Sequence, residues 1–204
     1  MRKLVVATFA TLDGVMQGPG GPDEDREGGF EHGGWSVPYW DEMTGQVADE
    51  QMTGAASMLL GRKTYDIFVN HWPKVGNEDP MAAYINNVDK YVASRTMESA
   101  DWGNTAVIRD VATEVARLKD QPGGEIGVPG SSNLIQSLLK HDLIDEFRIW
   151  TFPIVLGTGK RLFGDGALPA GLKLVDSKVS TTGVTMQTYE RAGEPQYGSF
   201  ALDS

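Results

Sequence analysis

Short apolar runs alternate along the chain with stretches of helical periodicity, and this alternation limits the folds open to it. Lys3 to Ala10, rich in β-branched and apolar residues, predicts a buried opening strand. Trp72-Pro73 predicts the end of the second helix. The other elements follow from the spacing of apolar residues. Strands are predicted at 57–60, 90–93, 105–108, 125–128 and 146–156. Helices are predicted at 41–56, 81–86, 111–118 and 133–141, and the second helix of the chain is predicted to begin at about residue 63.

The last two predicted strands, 172–180 and 184–191, flank a Thr182-Gly183 turn and predict an antiparallel hairpin. Strand–helix alternation followed by a hairpin indicates an α/β fold with a central, mainly parallel sheet, flanking helices and an antiparallel edge. The 204 residues are 40% hydrophobic and 23% charged, a balance that suits one good core. Because no long polar linker divides the chain, residues 1–204 are expected to form one domain with a loose tail from about 193 to 204.

Charge and residue usage exclude several classes of function. With 28 acidic and 18 basic residues the formal net charge is −10, which is opposite in sign to that of general nucleic-acid binders. The chain has no cysteine, which excludes disulfides, thiolate zinc sites and a cysteine nucleophile. His32, His71 and His141 lack the paired spacing of a metal site, so no metal is expected. No apolar run is long enough for a signal sequence or a membrane span, which predicts a cytoplasmic protein without membrane association.

Residues from about 15 to 38 form a long glycine- and proline-rich segment that contains the acidic run Asp23-Glu24-Asp25. Ordered loops of this length are uncommon and usually functional, so the segment is expected to act as a lid or binding loop. His32 and Trp35 are candidate substrate contacts, and Trp35, like Trp40, could stack on a planar heterocycle. The alternative is that the aromatic side chains pack the loop onto the sheet.

Three predicted strands end in clusters of small or basic residues: Gly61-Arg62-Lys63-Thr64, Ser94-Arg95-Thr96 and Gly130-Ser131-Ser132-Asn133. In an open α/β sheet, ligands bind outside the carboxyl ends of the strands. Each cluster lies where a helix could begin, with free N–H groups and a positive dipole end facing outward. Serine and threonine are also ordinary N-caps. Three such clusters at equivalent places, carrying arginine and lysine in an acidic chain, predict a ligand with more than one phosphate.

These clusters, together with Thr11-Leu12-Asp13-Gly14, Leu143-Ile144-Asp145-Glu146 and the segment from Pro153 to Phe163, resemble the dihydrofolate-reductase-like superfamily. Within it, the chain is similar to the C-terminal reductase domain of bacterial riboflavin biosynthesis, in the form of a stand-alone protein. The resemblance implies NADPH as cofactor, hydride transfer to a small heterocycle, and a homodimer. Arginines placed near the ribose also favour NADP over NAD on physical grounds.

The resemblance implies which residues hold the cofactor. Thr11 and Met16 would lie beside the nicotinamide. The residues that would surround the adenosine 2′-phosphate and the neighbouring phosphate are Gly61, Arg62, Lys63, Thr64, Ser94 and Arg95. Those that would hold the pyrophosphate at a helix N-terminus are Gly130, Ser131, Ser132 and Asn133.

Two features leave the reaction open. Pyrimidine reductases of riboflavin synthesis carry a glutamate just before the glycine cluster, where this chain has Val128-Pro129. Folate reductases carry a carboxylate on the first helix, for which Asp41 and Asp49 are candidates, and Asp13 is a third candidate catalytic residue. The alternative is that the helix carboxylates are solvated and that Asp13 closes an Asp-Gly turn through its side chain.

The sequence thus predicts a single-domain NADPH-dependent reductase that transfers a hydride to a pterin-, folate- or pyrimidine-like heterocycle. One alternative is a protein of the same fold that binds a nucleotide or small molecule without turnover. Another is a reductase whose strand ends hold a flavin in place of NADPH.

Overall fold

A computed structural model describes residues 1–165 and 167–200, with Met52 described by its backbone. The strands are β1 (Leu4–Thr11), β2 (Ser57–Gly61), β3 (Asp89–Ala93), β4 (Thr105–Ile108), β5 (Ile126–Pro129), β6 (Glu146–Phe152), β7 (Leu172–Val179) and β8 (Thr185–Arg191). The helices are α1 (Glu42–Thr53), α2 (Arg62–Val75), α3 (Pro80–Asn87), α4 (Val111–Asp120) and α5 (Ser132–Lys140). Each element that the apolar spacing predicts is present.

The eight strands of the described residues form one sheet in the order β4-β3-β2-β5-β1-β6-β8-β7. From β4 to β6 every neighbouring pair is parallel, whereas β8 runs antiparallel to both β6 and β7. The predicted α/β fold class is therefore confirmed. Because strands β1 to β6 point the same way, their carboxyl ends lie along one edge of the sheet, and the helices that follow them begin there.

Helices cover the sheet on both faces. On one face, Leu59 and Ile126 pack in a cluster with Val115 of α4 and Leu138 of α5. On the other face, Met58, the neighbour of Leu59 on β2, packs with residues of α2 and α3. The helix α1 lies on this second face, where its Val47 shares a cluster with β6 side chains. Alternation along each strand thus separates two apolar layers, as expected for a sheet buried on both sides.

Three predicted boundaries are wrong. The helix predicted at 41–56 ends at Thr53, before Gly54. Trp72-Pro73 does not end α2, which continues to Val75 and ends at Gly76 with φ +86°. Pro73 is exposed in the last turn, so its missing N–H removes one hydrogen bond in a solvated region of the helix. The strand predicted at 146–156 is shorter because Pro153 has no N–H with which to continue the pairing. The N–H of Ile154 turns back to donate to the carbonyl of Phe152 at 2.7 Å.

The antiparallel edge of the sheet is open to solvent. All eight residues of β7 are exposed, among them Leu172, Leu174, Val175 and Val179. The homodimer expected from the resemblance stays a prediction. Residues 193–200 of the predicted tail have no regular secondary structure, and the remainder of that tail, 201–204, lies outside the described residues.

Within the described residues, no helix has both the length and the apolar character needed to cross a membrane. The same portion of the chain holds no group of three or more histidine, aspartate or glutamate side chains that could bind a metal ion.

A buried lysine closes the C-terminal end of α3. The side chain of Lys90 is almost fully buried, and its Nζ donates to the carbonyls of Ile85 at 3.0 Å, Asn86 at 3.2 Å and Val88 at 2.7 Å. The same ammonium lies 4.5 Å from the centroid of the Trp102 ring. Helix C-termini leave carbonyls without intrahelical donors, and a cation there satisfies them.

Replacing this lysine tests the role of the cap. Lys90→Met fills a similar volume but leaves three carbonyls without their donor, which should lower the free energy of unfolding by about 3 kcal/mol. The measurement is urea or thermal denaturation followed by circular dichroism. Lys74→Met, at an exposed position of the last turn of α2, is the matched control and should change stability by less than about 0.5 kcal/mol. Equal effects of the two substitutions would contradict the assignment.

Candidate functional site

A cleft of about 1480 Å³ opens along the edge where the parallel strands end. One region of it, the basic lobe, is lined by Gly61–Thr64, Ser94–Arg95, Arg109–Ala112 and Gly130–Asn133. The other region, the aromatic lobe, lies between α1 and the face of β1 and β6, and is lined by Ala7, Phe9, Trp40, Ala48, Gln51, Glu125, Arg148 and Trp150. The three clusters picked out at strand ends therefore line one cleft.

The turn from β5 into α5 holds the basic lobe together. Gly130 and Ser131 have φ of +55° and +67°, so two successive residues are left-handed, and for serine this conformation is strained. The Ser131 hydroxyl accepts from the N–H of Gly61 at 3.0 Å and contacts the Thr64 hydroxyl at 2.8 Å. A Cβ on Gly61 would lie 3.3 Å from the Cβ of Ser131. This tight junction brings the starts of α2 and α5 side by side.

Three helices begin at this lobe and aim their N-termini into it. The first residues of α2, α4 and α5 all line the cleft, and the first-turn N–H groups of a helix have no intrahelical acceptors. A side chain at position 130 would meet nothing within 4 Å, so the backbone there is open to a ligand. Helix dipoles and free N–H groups together favour an anion at this place.

The cations of the basic lobe differ in whether a carboxylate pairs with them. Arg62 forms an ion pair with Asp66 at 2.9 Å, and Lys63 pairs with Glu27 of the long loop. The exposed side chain of Arg95 has no ion pair or hydrogen-bond partner within residues 1–165 and 167–200. Its guanidinium is thus the most available positive charge beside the three helix starts.

Sequence reasoning missed the fourth strand end. Arg109 follows β4 directly, lines the cleft, and donates to the carbonyls of Arg95 at 3.0 Å and Met97 at 3.1 Å. It therefore holds the loop that carries Arg95. The next residue, Asp110, accepts from the Thr113 N–H at 3.2 Å and caps α4. The signal was present, because Arg109-Asp110 repeats the pattern of a basic residue and an N-cap at the end of a predicted strand.

The basic lobe fits a dinucleotide phosphate group on the chemistry of its donors. It combines backbone N–H groups at the starts of α2 and α5, which no side chain caps, with the Thr64 and Ser132 hydroxyls and arginine side chains in one cleft. The hydroxyl of Ser131 is already engaged with Gly61 and Thr64, so its contribution to a ligand would come from its backbone.

Of the two residues expected beside the nicotinamide, only one lines the cleft. Met16 lines the cleft, whereas Thr11 is buried and does not line it. The Thr11 hydroxyl donates to Asp13 Oδ1 at 2.5 Å and accepts from the Val15 N–H at 3.0 Å. It shapes the turn after β1.

Asp13 also lies outside the cleft lining and acts as a clamp between two loops. Its carboxylate accepts from the N–H groups of Leu156 at 3.2 Å and Gly157 at 2.8 Å, and Arg161 lies 3.6 Å away. The hydrogen bond from Thr11, followed by those from the backbone, lowers the pKa of Asp13 to about 2. A carboxylate held so strongly in its charged form is a poor proton donor at neutral pH.

The two carboxylates of α1 are likewise absent from the cleft lining. Asp41 is the N-cap of α1 in a capping box with Thr44, and it also accepts from the N–H and hydroxyl of Thr181. The hydrogen bond from the Thr44 backbone, with those from Thr181, lowers the pKa of Asp41 to about 2. Asp49 is exposed on the helix.

The long loop lines the cleft with Met16 to Gly20, Glu24 and Asp25, while its aromatic side chains point elsewhere. Trp35 is buried against Phe152 and donates from Nε1 to the carbonyl of Gln17 at 2.7 Å. His32 is exposed, and its ring contacts Phe30 edge-on. Neither His32 nor Trp35 lines the cleft, but Trp40 does. Movement of the loop as a lid stays a prediction.

Fold and cleft together define a dihydrofolate-reductase-like α/β protein with a cleft along the carboxyl ends of its parallel strands. The chain belongs to the RibD C-terminal domain family, whose model matches residues 2–187. Uncharacterized protein YyaP of Bacillus subtilis is 30% identical over an alignment of 201 residues, which covers 94% of this chain and 96% of YyaP. Uncharacterized protein YwjB of the same organism is 28% identical over an alignment of 182 residues, which covers 87% of this chain and 91% of YwjB. The resemblance drawn from the motifs is confirmed.

Solved structures share the fold at lower identity. A putative riboflavin biosynthesis protein from Shewanella sp. PV-4 has a TM-score of 0.65 at 24% identity, covering 93% of this chain and 98% of its own. A pyrimidine reductase-like protein from Corynebacterium diphtheriae has a TM-score of 0.62 at 12% identity, and the match covers 95% of this chain and 93% of that protein. A deaminase/5-amino-6-(5-phosphoribosylamino)uracil reductase from Thermotoga maritima has a TM-score of 0.60 at 15% identity, with 94% of this chain spanning 57% of that one.

The clamp role of Asp13 predicts a pH-dependent loss of stability on Asp13→Asn. The amide keeps one acceptor but sets its NH₂ group against a backbone N–H, so the free energy of unfolding should fall by about 2 kcal/mol at neutral pH. Because the folded pKa is depressed, the stabilisation is present above the ordinary pKa of 3.8 and is lost as the pH falls towards about 2.

Chemical denaturation of both proteins across this pH range is the measurement. The gap between wild type and Asp13→Asn should shrink between about pH 4 and about pH 2. Asp49→Asn, whose carboxylate has no partner within the described residues, is the control and should stay close to wild type throughout. A constant gap at every pH would rule out the clamp.

Proposed function

We propose that this protein is an NADPH-dependent reductase that transfers a hydride to a small heterocycle. The observation that carries the proposal is the convergence of the uncapped N-termini of α2 and α5 on one cleft. The same cleft contains Arg95, which has no ion-pair or hydrogen-bond partner for its side chain within the described residues, and it continues into the aromatic lobe. A dinucleotide needs an anion site for its phosphates and an adjoining space where its reactive ring meets the substrate. Membership of the RibD C-terminal domain family and the reductase names of structural neighbours support the same class.

The chain's own groups would bind and orient the two reactants. Bound NADPH would supply a hydride to a C=N or C=O carbon of the substrate, and a proton would have to reach the adjoining nitrogen or oxygen to balance the charge. The basic lobe would hold the phosphates, and the loop segment from Met16 to Gly20 would cover the junction of the lobes and exclude water.

Glu24 is the proposed source of that proton. Of the four carboxylates among the described residues that line the cleft, Asp25 pairs with Lys160, Asp110 caps α4, and Glu125 pairs with Arg148. Glu24 accepts from the Gly20 N–H and has no basic partner in the described region of the chain. Burial raises the pKa of Glu24, which favours the protonated form that a general acid needs.

Glu24→Gln should lower kcat by about 100-fold or more, the range typical for loss of a general acid, with little change in NADPH binding. The readout is the pH profile of kcat, in which the limb that reports an essential acid should disappear. Asp23→Asn, at the adjacent and exposed position, is the comparison variant and should leave the profile unchanged. If the pH profile of kcat in Glu24→Gln matches that of the wild type, Glu24 is not the proton donor and water takes that role.

The choice of NADPH over NADH is proposed to depend on Arg95. Arg95→Ala should weaken NADPH at least tenfold while changing NADH by less than twofold, because only NADPH carries the extra phosphate that the guanidinium would pair with. Calorimetric titration of the two cofactors measures both constants. Arg117→Ala, on the exposed side of α4 and outside the cleft lining, is the control. Equal losses for the two cofactors would refute the assignment.

The same titrations separate the rival functions. A binding protein without turnover would take up NADPH yet consume none of it in the presence of reducible pteridines or pyrimidines. A flavin-dependent reductase would purify with visible absorbance or bind flavin mononucleotide more tightly than NADPH.

A further inference from the structure

We propose that the aromatic lobe takes an uncharged, planar heteroaromatic substrate without a phosphate group, and that Gln51 donates a hydrogen bond to an acceptor on its ring. This inference rests on the proposed function, because it names the substrate of the same cleft. It is carried by the walls of the lobe, by one unpaired amide donor, and by the absence of an available cation within the described residues of the lobe.

The walls of the lobe suit a flat ring. Phe9 and Trp150 are cross-strand partners on β1 and β6, with ring centroids 5.0 Å apart. Trp40 lies 5.9 Å from each of them, edge-on to Phe9, and 40% of its surface is exposed. Ala48, one turn before Gln51 on α1, also lines the lobe and packs against the cluster that contains Trp150. Trp150 is almost fully buried, so Phe9 and Trp40 are the rings that a planar ligand can meet by stacking or edge contacts.

The orientation of Gln51 is fixed by its neighbour. Trp150 Nε1 can only donate, and it lies 3.0 Å from Gln51 Oε1, so the oxygen of the amide must face the tryptophan. The amide nitrogen is therefore the atom left over, and it has no hydrogen-bond partner among the residues that the structure describes. Gln51 lines the lobe, so this nitrogen can donate to a ring nitrogen or carbonyl oxygen of a bound ligand.

The charges of the lobe disfavour a phosphate. Arg148 pairs bidentately with Glu125 at 2.8 Å and also with Glu146 at 2.8 Å, and Lys3 pairs with the same Glu146 at 3.2 Å, so this cation is already engaged. Lys160, which also lines the cleft, is held by Asp25 and Glu27, and Glu27 pairs with Lys63 as well. A phosphate in the lobe would lose its water without gaining a free cation. The available arginine lies in the other lobe.

This distribution of charge separates the chain from a reductase of phosphoribosylated pyrimidines, the substrate class in the name of the Thermotoga maritima neighbour. The cleft has cations for a cofactor at one end and a neutral, aromatic pocket at the other. A substrate whose heteroaromatic ring carries no phosphate group would contact the aromatic side chains of the lobe and accept the hydrogen bond from Gln51.

A matched pair of probes tests the proposal on the full chain. Neopterin and neopterin monophosphate differ by one phosphate, and each is titrated into protein saturated with NADP⁺ while tryptophan fluorescence is followed. Neopterin should bind and quench the fluorescence, and the monophosphate should bind no more tightly than neopterin. A monophosphate that binds tenfold more tightly, or a failure of neopterin to bind, overturns the inference.

Binding of NADP⁺ is measured first by calorimetry, so the two proposals can fail separately. Protein that takes up NADP⁺ but not neopterin contradicts the substrate class alone. Protein that does not bind NADP⁺ contradicts the proposed function.

Two substitutions at position 51 isolate the amide donor. Gln51→Glu keeps an acceptor for Trp150 but loses the donor, and Gln51→Leu loses both, so each should weaken neopterin at least tenfold. NADP⁺ affinity and the thermal unfolding midpoint of Gln51→Glu should stay close to wild type, which a merely structural role would not produce. Gln46→Leu, on the exposed side of α1, is the control. Unchanged neopterin affinity in Gln51→Glu would refute the role of Gln51.

Discussion

The parallel pairing of β2, β5 and β1 is the constraint on which the rest of the structure depends. Because these neighbouring strands point the same way, the helices that follow β2 and β5 both begin at one edge of the sheet. The Ser131 hydroxyl then joins the Gly61 N–H to the start of α2, and it does so from a left-handed backbone that serine adopts at a cost. Loss of this junction would separate the N-termini of α2 and α5, which form the basic lobe together with that of α4.

Acidic side chains of this negatively charged protein pair with the basic side chains that line its cleft. Most of the cleft's cations are already paired, Lys63 and Lys160 with carboxylates of the long loop and Arg148 with Glu125. These pairs hold the loop beside the cleft and leave Arg95 available for an anion. The number of cations in a cleft is therefore a poor guide to its binding chemistry, because what matters is which of them lack a partner.

The candidate acids illustrate how a correct residue type can carry an unexpected role. Asp13 and Asp41 are both engaged by several donors, so both carboxylates are held in the charged form and stabilise loops at the ends of strands. The acidic run that the sequence singled out within a long loop instead contributes Glu24 and Asp25 to the cleft lining. Spacing along the chain can identify carboxylates, but it cannot tell which of them meet a ligand, because that depends on how a loop without regular structure folds back.

The sequence by itself determined the α/β order of elements and three of the strand-end clusters, since alternation of apolar residues and glycine or serine at strand ends are local signals. It also predicted that a helix begins at the Gly130–Asn133 cluster. Only the tertiary structure decided which side chains share the aromatic lobe, because Phe9, Gln51 and Trp150 come from three distant segments that meet through strand pairing and helix packing. The burial of Trp35 and the pairing of Arg148 were decided in the same way, since long-range contacts determine which groups remain free to bind.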